Sequence, residues 1–343
     1  MKIWMVGDIL KVVKKRKKKK RLRLKTEVKR FLIYFIFFLS LFIYTIKESI
    51  TIYKDFKYQE TYEYKLIQLG YTKKESTALI KYLKPQTLDK ILLEEEKNEY
   101  YYNIVTQKYY MEKNFQSYVD YKTYHTSTNY KDVIAIVNVN AHHGWYNKIY
   151  DTNLNDGNLM LVNKFYKLPS TYKREDLESV SLQYAYANNS AAPIVIENFQ
   201  NMRTDIQTEL GVHLMVNSSY RSYEDQQSIY NDYKNISLKY ADSYAARPGH
   251  SEHQTGLSID ITSLEHPYIT NDDKSFDRSA EYEWLKNNCH KYGFILRYPK
   301  GKEHITGYNT ESWHFRYVGI NPATKMYEED ITLDEYYAFY IEK

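Results

Sequence analysis

The chain has a single cysteine, Cys289, in 343 residues, so no intramolecular disulfide can staple it and no zinc site built from several thiolates can form. Any metal must be held by histidine and carboxylate. Glycine, at 11, and proline, at 7, are too scarce for a collagen-like or low-complexity chain. The first alanine is Ala78, so nothing before it offers a small-x-small cleavage site, and an early cysteine for a lipoprotein signal is missing too. Tyrosine is abundant, with 39 residues; it suits grooves and sticky surfaces, although AT-biased coding gives the same excess. A hydrophobic share of 43% and a charged share of 27% exclude disorder as a whole-chain description and fit a chain long enough to bury a sizeable core.

The net charge of +5 hides an asymmetry: residues 1–30 hold 14 Lys and Arg against Asp8 and Glu27, on an otherwise acidic body. From Phe31 to Ile46 the sequence reads FLIYFIFFLSLFIYTI, uncharged until Lys47. At ~1.5 Å per residue this run reaches ~24 Å, short of a ~30 Å hydrocarbon core, but Arg30 and Lys47 can snorkel and the run can extend to Tyr53. It is apolar on every face, which predicts a membrane span and not a buried core helix. The basic flank precedes it, so the positive-inside rule puts residues 1–30 in the cytoplasm and the chain after about residue 50 outside. A cleaved signal peptide is the rival reading; without a cleavage motif the expectation is an uncleaved, single-pass cell-membrane anchor at 31–53. A Lys/Arg run beside a span serves topology and anionic lipid more often than nucleic acid, so no nucleic-acid partner is expected.

Residues 54–130 are rich in Lys, Glu and Tyr, with Gly70 and Pro85 as the breakers. Leu66, Leu69, Leu79, Ile80, Leu83, Leu88, Ile91 and Leu92 carry helical spacing, which predicts a helical stalk with two short helices parted by Pro85. Past residue 130 come apolar runs at 132–140 and 158–162, then a predicted helix from Pro193 to Leu210 and a strand from Val212 to Val216. A helix opens at Ser222, with Asp225 in capping-box position. Gly256 to Thr262 alternates as a strand, Ser279 to Tyr292 reads as a helix closed by Gly293, and Phe294–Tyr298 and Trp313–Val318 read as strands. Mixed elements without a βαβ rhythm predict an α+β fold with a small antiparallel sheet and flanking helices over 131–330, followed by a C-terminal tail, 331–343. No internal repeat is visible.

Ten histidines remain to be sorted. In HSEHQTGLSIDIT, His253 ends a loop and Asp260 lies inside the alternating strand. A half-buried aspartate needs a partner, most often arginine or backbone donors. In ESWHFRYVG, Glu311 precedes His314 by three, and His314 sits in a second apolar strand. His253, Asp260 and His314 would give zinc three N/O ligands and leave one position open, with Glu311 free to take a proton from water. The bland alternative pairs Glu311 with Arg316 and makes His314 a satisfied core histidine. Arg221, at a strand-to-helix junction, could hold a substrate carboxylate or an oxyanion, though a lone arginine is more often a surface residue. His142-His143 read as a turn before Gly144. His250 is a candidate for supporting the site, and His125, His213, His266, His290 and His304 read as structural or exposed. A serine elbow around Ser251 fails because His253 stands where the motif needs glycine.

Several separate motifs, in order, resemble one family. They are Ser219-Tyr220-Arg221-Ser222 with Gln226, Ala246-Arg247-Pro248-Gly249, Ser251-Glu252-His253-Gln254-Thr255-Gly256-Leu257 with Asp260, and Glu311 with Trp313-His314 and Arg316-Tyr317-Val318-Gly319. Together with Leu161 to Leu177, they are similar to the VanY-type zinc D-alanyl-D-alanine carboxypeptidases over about 150–325. The resemblance implies the fold shared with hedgehog-like and lysostaphin-like zinc domains, and Zn2+ held by His253, Asp260 and His314. It also implies Glu311 as general base and acid, Arg221 as the cation for substrate or transition state, and substrate contacts from Ser251, Gln226 and Trp313. The implied partner is the peptidoglycan stem peptide, with trimming of the fourth-position D-alanine (an L,D reaction) as the runner-up and a non-catalytic wall-binding module as the reading from another class. Ser219, Ser258 and Ser312 replace the glycine, alanine and proline frequent at these places in the family.

Overall fold

The computed structural model describes residues 28–52, 62–267 and 275–342. These fall into two compact units that divide after Tyr102; most of the expected basic tail lies outside the described residues.

In the first unit, Val28–Ile52 is one helix of 25 residues, none of them buried. It is long and apolar enough to cross a membrane or to act as a signal sequence. Helix Lys73–Tyr82 opens on a Thr72–Glu75 capping box, and Pro85 starts Pro85–Ile91 at a position where its missing N–H costs nothing. Leu66, Leu79, Leu83, Leu88 and Ile91 are buried, as the leucine spacing predicts.

The second unit is built on a four-stranded antiparallel sheet, β1 Leu214–Ser218, β2 Ser258–Ser263, β3 Phe294–Tyr298 and β4 Glu311–Tyr317, in the order β1-β2-β4-β3. Helix Pro193–Leu210 covers one face. Its Val195, Phe199, Met202 and Ile206 pack with Leu257, Ile259 and Ile261 of the β2 segment and with Phe294, Phe315 and Tyr317. The predicted α+β architecture and the helix bounds 193–210 are as read from the sequence.

The sequence assigns one segment no element, and two others differ from the expectation. The apolar run at 132–140 lies in helix Tyr130–Asn138, capped by the Asn129 side chain, which accepts from the Asp132 N–H at 2.9 Å. Val133 to Val137 are all buried, and a run apolar on every side has no period to separate helix from strand. Residues 103–130, expected in the stalk, belong to the second unit: Tyr109, Met111 and Tyr121 pack on its core, and Asn114 Nδ2 donates to Asn138 Oδ1 at 2.9 Å. The C-terminal segment is no loose tail either. Thr332 caps Leu333–Tyr336, and Leu333, Tyr337, Ala338 and Phe339 share a core with Ala135, Ile136, Phe165, Ala323 and Met326.

Candidate active site

Alternation along β2 turns Leu257, Ile259 and Ile261 into the core and leaves Asp260 on the opposite face. The antiparallel register sets Asp260 directly across from His314 of β4, the arrangement that brings Cβ atoms to ~5 Å. His253 enters from the single turn Glu252–Thr255, which Gly256 ends at φ +67°; a Cβ there would lie 2.9 Å from Leu177 Cδ2. The three residues are buried, and one donor atom from each lies within 4.8 Å of the others.

Both rings have one nitrogen facing Asp260: His253 Nε2 is 3.5 Å from Oδ2 and His314 Nδ1 is 3.3 Å from Oδ1. The other nitrogens are tied back. His253 Nδ1 donates to the Ser219 carbonyl at 2.6 Å, and His314 Nε2 lies 3.4 Å from Glu252 Oε2. Such contacts fix the tautomer and leave the inward nitrogen as a ligand. Asp260 Oδ1 is buried without a hydrogen-bond partner, a costly state that a bound cation relieves. Two imidazoles and one carboxylate are also a fitting donor set for zinc. Burial works against a charged Asp260 and against imidazolium, yet the cluster overrides it: His253 and His314 hold Asp260 well below the carboxylate range, while Asp260 and Glu252 push His314 up to about 9. His253 is lowered by burial.

Glu311 lies three residues before His314, where a regular strand would aim it at the other face. The β3–β4 register shifts between Leu296 and Tyr298, and Glu311 Oε2 comes within 3.6 Å of His314 Nδ1; a bulge re-aims the side chain. Burial, reinforced by Asp260, pushes Glu311 up to about 7 against the pull of His314. A second shift, between Val216 and Ser218, puts Ser218 opposite Asp260 and leads the chain to Arg221. Arg221 Nη1 donates to Gln226 Oε1 at 2.8 Å and Nη2 to Ser218 Oγ at 3.2 Å. Gln226 Nε2 donates to the Ala246 carbonyl at 2.7 Å, so both ends of its amide are used within the protein and it braces Arg221. Arg221, Ser251, Trp313 and Glu311 line the same cleft, about 510 Å³, as the three candidate ligands.

The Glu311–Arg316 pair weighed from the sequence does not form. Arg316 Nη1 donates instead to Glu252 Oε1 at 2.9 Å, and Nη2 to the Asn158 and Met160 carbonyls. Glu252 also takes Arg297 Nε at 2.7 Å, and Arg297 Nη1 reaches Asp334 at 2.6 Å. Burial opposes the Glu252 charge, but the two arginines hold its carboxyl well below the usual range. Sequence reasoning gave Glu252, Arg297 and Asp334 no role, and only the position of Glu252 beside a ligand histidine offered a signal. His250 bonds the Asn163 carbonyl at 2.7 Å. His142 and His143 form a turn ended by Gly144, as expected.

The VanY family profile, described as D-alanyl-D-alanine carboxypeptidase, matches residues 188–320. The bifunctional D-Ala-D-Ala dipeptidase and D-Ala-D-Ala carboxypeptidase VanXYC of Enterococcus gallinarum is 31% identical over 185 residues, 53% of this chain and 94% of that one. The chain belongs to the VanY family. The D-alanyl-D-alanine carboxypeptidase of Enterococcus faecalis (strain ATCC 700802 / V583) is 36% identical over 52% of this chain and 65% of its own length. The chain spans just under two thirds, or less, of the first curated relatives it matches. Among solved structures, the LdcB LD-carboxypeptidase aligns at TM-score 0.52 and 35% identity over 56% of this chain and 90% of that one. A VanY D,D-pentapeptidase from a VanB-type resistance cassette, 33% identical over 52% of this chain and 98% of that one at TM-score 0.44, was solved with Zn(II). The two histidines and the aspartate gathered here are a donor set that fits zinc.

Proposed function

We propose that this VanY-family chain is a membrane-anchored zinc carboxypeptidase that removes the C-terminal D-alanine from peptidoglycan stem peptides. The observation that carries the reading is Glu311, poised near neutral pKa and 3.6 Å from His314, in one cleft with His253 and Asp260. His253 Nε2, an Asp260 oxygen and His314 Nδ1 would hold zinc, which supplies Lewis acidity and makes a bound water more acidic. Glu311 takes the proton from the attacking water and returns it to the leaving amine as the C–N bond breaks. Arg221, braced by Gln226 and Ser218, holds the substrate carboxylate or the charge that develops on the attacked carbonyl. Ser251 and Trp313 shape the walls around it.

The helix Val28–Ile52 with its basic flank supports an uncleaved single span, residues 1–30 in the cytoplasm and the zinc domain outside, where cell wall lies. Removal of D-alanine from tetrapeptides is the second reading, favoured by the likeness to LdcB. The test incubates zinc-loaded protein with pentapeptide and tetrapeptide muropeptides, with chelated protein as control, and follows mass. Loss of one alanine from the pentapeptide supports the D,D reading, loss from the tetrapeptide moves the enzyme to the L,D class, and no metal-dependent loss from either contradicts both.

A further inference from the structure

Tyr298 is a buried polar group of the cleft to which the carboxypeptidase reading gives no role. Tyr298 ends β3, is 5% exposed and lines the cleft. Its hydroxyl has no hydrogen-bond partner among the described residues and is not sealed from the cleft. A tyrosine buried to this degree usually satisfies its hydroxyl within the protein. The neighbouring Tyr308 does so: its hydroxyl lies 3.4 Å from that of Tyr146.

The position of Tyr298 is over-determined. Its ring lies 5.0 Å from the His314 ring and 4.8 Å from the Tyr308 ring, and the Arg297 guanidinium sits 4.8 Å from its centroid. In the sheet it is paired with Glu311 across the register shift that aims Glu311 into the site. The same irregularity therefore delivers both the proton-carrying carboxylate and a free O–H donor to the neighbourhood of His314.

We propose that Tyr298 is a catalytic residue: its hydroxyl donates a hydrogen bond to the carbonyl oxygen of the scissile bond as that oxygen gains negative charge. This assignment rests on the carboxypeptidase reading above. The hydroxyl keeps its proton throughout. A tyrosine hydroxyl ordinarily titrates near ~10, so at neutral pH it is a donor and not a base. The division of labour is then Glu311 for the proton, Tyr298 for the carbonyl oxygen and Arg221 for the substrate's terminal carboxylate. A donor aimed at developing charge strengthens its bond in the transition state and little in the ground state.

The test compares full-length, zinc-loaded wild type with Tyr298→Phe, which keeps the ring contacts and removes one oxygen. The expected result is a kcat about 100-fold lower, the loss typical of one oxyanion donor, with KM within about threefold. Affinity for a phosphinate analogue of D-Ala-D-Ala should fall in step with kcat, while zinc content and melting temperature stay unchanged. A kcat/KM within twofold of wild type, or a loss confined to KM, overturns the proposal. So does a lower melting temperature, which would give the hydroxyl a structural partner. If wild type itself releases no alanine, the carboxypeptidase reading fails and takes this inference with it; active wild type matched by Tyr298→Phe sinks the inference alone.

Discussion

Two glutamates near His314 have opposite fates because their surroundings differ. Glu252, walled in by Arg297 and Arg316, stays ionised; Glu311, desolvated beside Asp260, is pushed up to about 7. A base must be deprotonated to act, so kcat/KM falls as pH drops through the Glu311 pKa. A cation at the neighbouring ligands lowers that pKa, so a pH profile should show an acidic limb with its midpoint at or below about 7; a midpoint above 8 would contradict the assignment. Replacing Glu252 with Gln leaves two buried arginines short of a counter-charge. Denaturant unfolding should show a loss of about 3–5 kcal/mol, the usual cost of breaking a buried pair. Chelator competition should show zinc affinity about 10–100-fold weaker, as for lost outer contacts to a ligand histidine; unchanged affinity would remove Glu252 from the site. Residue types and spacing offered His253, Asp260, His314, Glu311 and Arg221 as candidates, the resemblance to the VanY-type enzymes implied their roles, and the structure gathers all five along one cleft. Arg297 and Asp334 were illegible because the partner of Arg297, Glu252, lies 45 residues away in the chain and the partner of Asp334, Arg297, lies 37 away.

At the scale of elements, the site depends on irregularities more than on regular strands. The turn carrying His253 closes on Gly256 at φ +67°, a backbone conformation that side-chain-bearing residues rarely adopt, and a Cβ there would push on Leu177 Cδ2 at 2.9 Å. Gly256→Ala should therefore cost about 1–3 kcal/mol through backbone strain and weaken zinc binding as His253 moves; a neutral result in thermal melts would show the turn to be adaptable. Helices with a clear period or cap, Pro193–Leu210 and Tyr223–Lys234, were readable in advance. The helix at Tyr130–Asn138 was not, because its run is buried all round. The two register shifts were hidden too: a one-dimensional pattern shows that Glu311 and His314 are three apart but not that a bulge puts both at one site.

For the whole molecule, the division after Tyr102 argues that the catalytic unit starts well before residue 131. A fragment of residues 103–343 should fold and bind zinc, whereas 131–343, stripped of Tyr109, Met111, Tyr118 and their contacts to the core and to Asn138, should melt lower by calorimetry. Equal melting temperatures would restore the later boundary. The central claim is the separation of holding the metal, by His253, Asp260 and His314, from moving the proton, by Glu311. The most direct measurement is zinc stoichiometry and D-alanine release for wild type and Glu311→Gln side by side. The account predicts one zinc per chain in both and release about 10²–10⁴-fold slower in the variant, the range for losing a general acid–base group. Full turnover by Glu311→Gln, or zinc lost with the carboxylate, would contradict it.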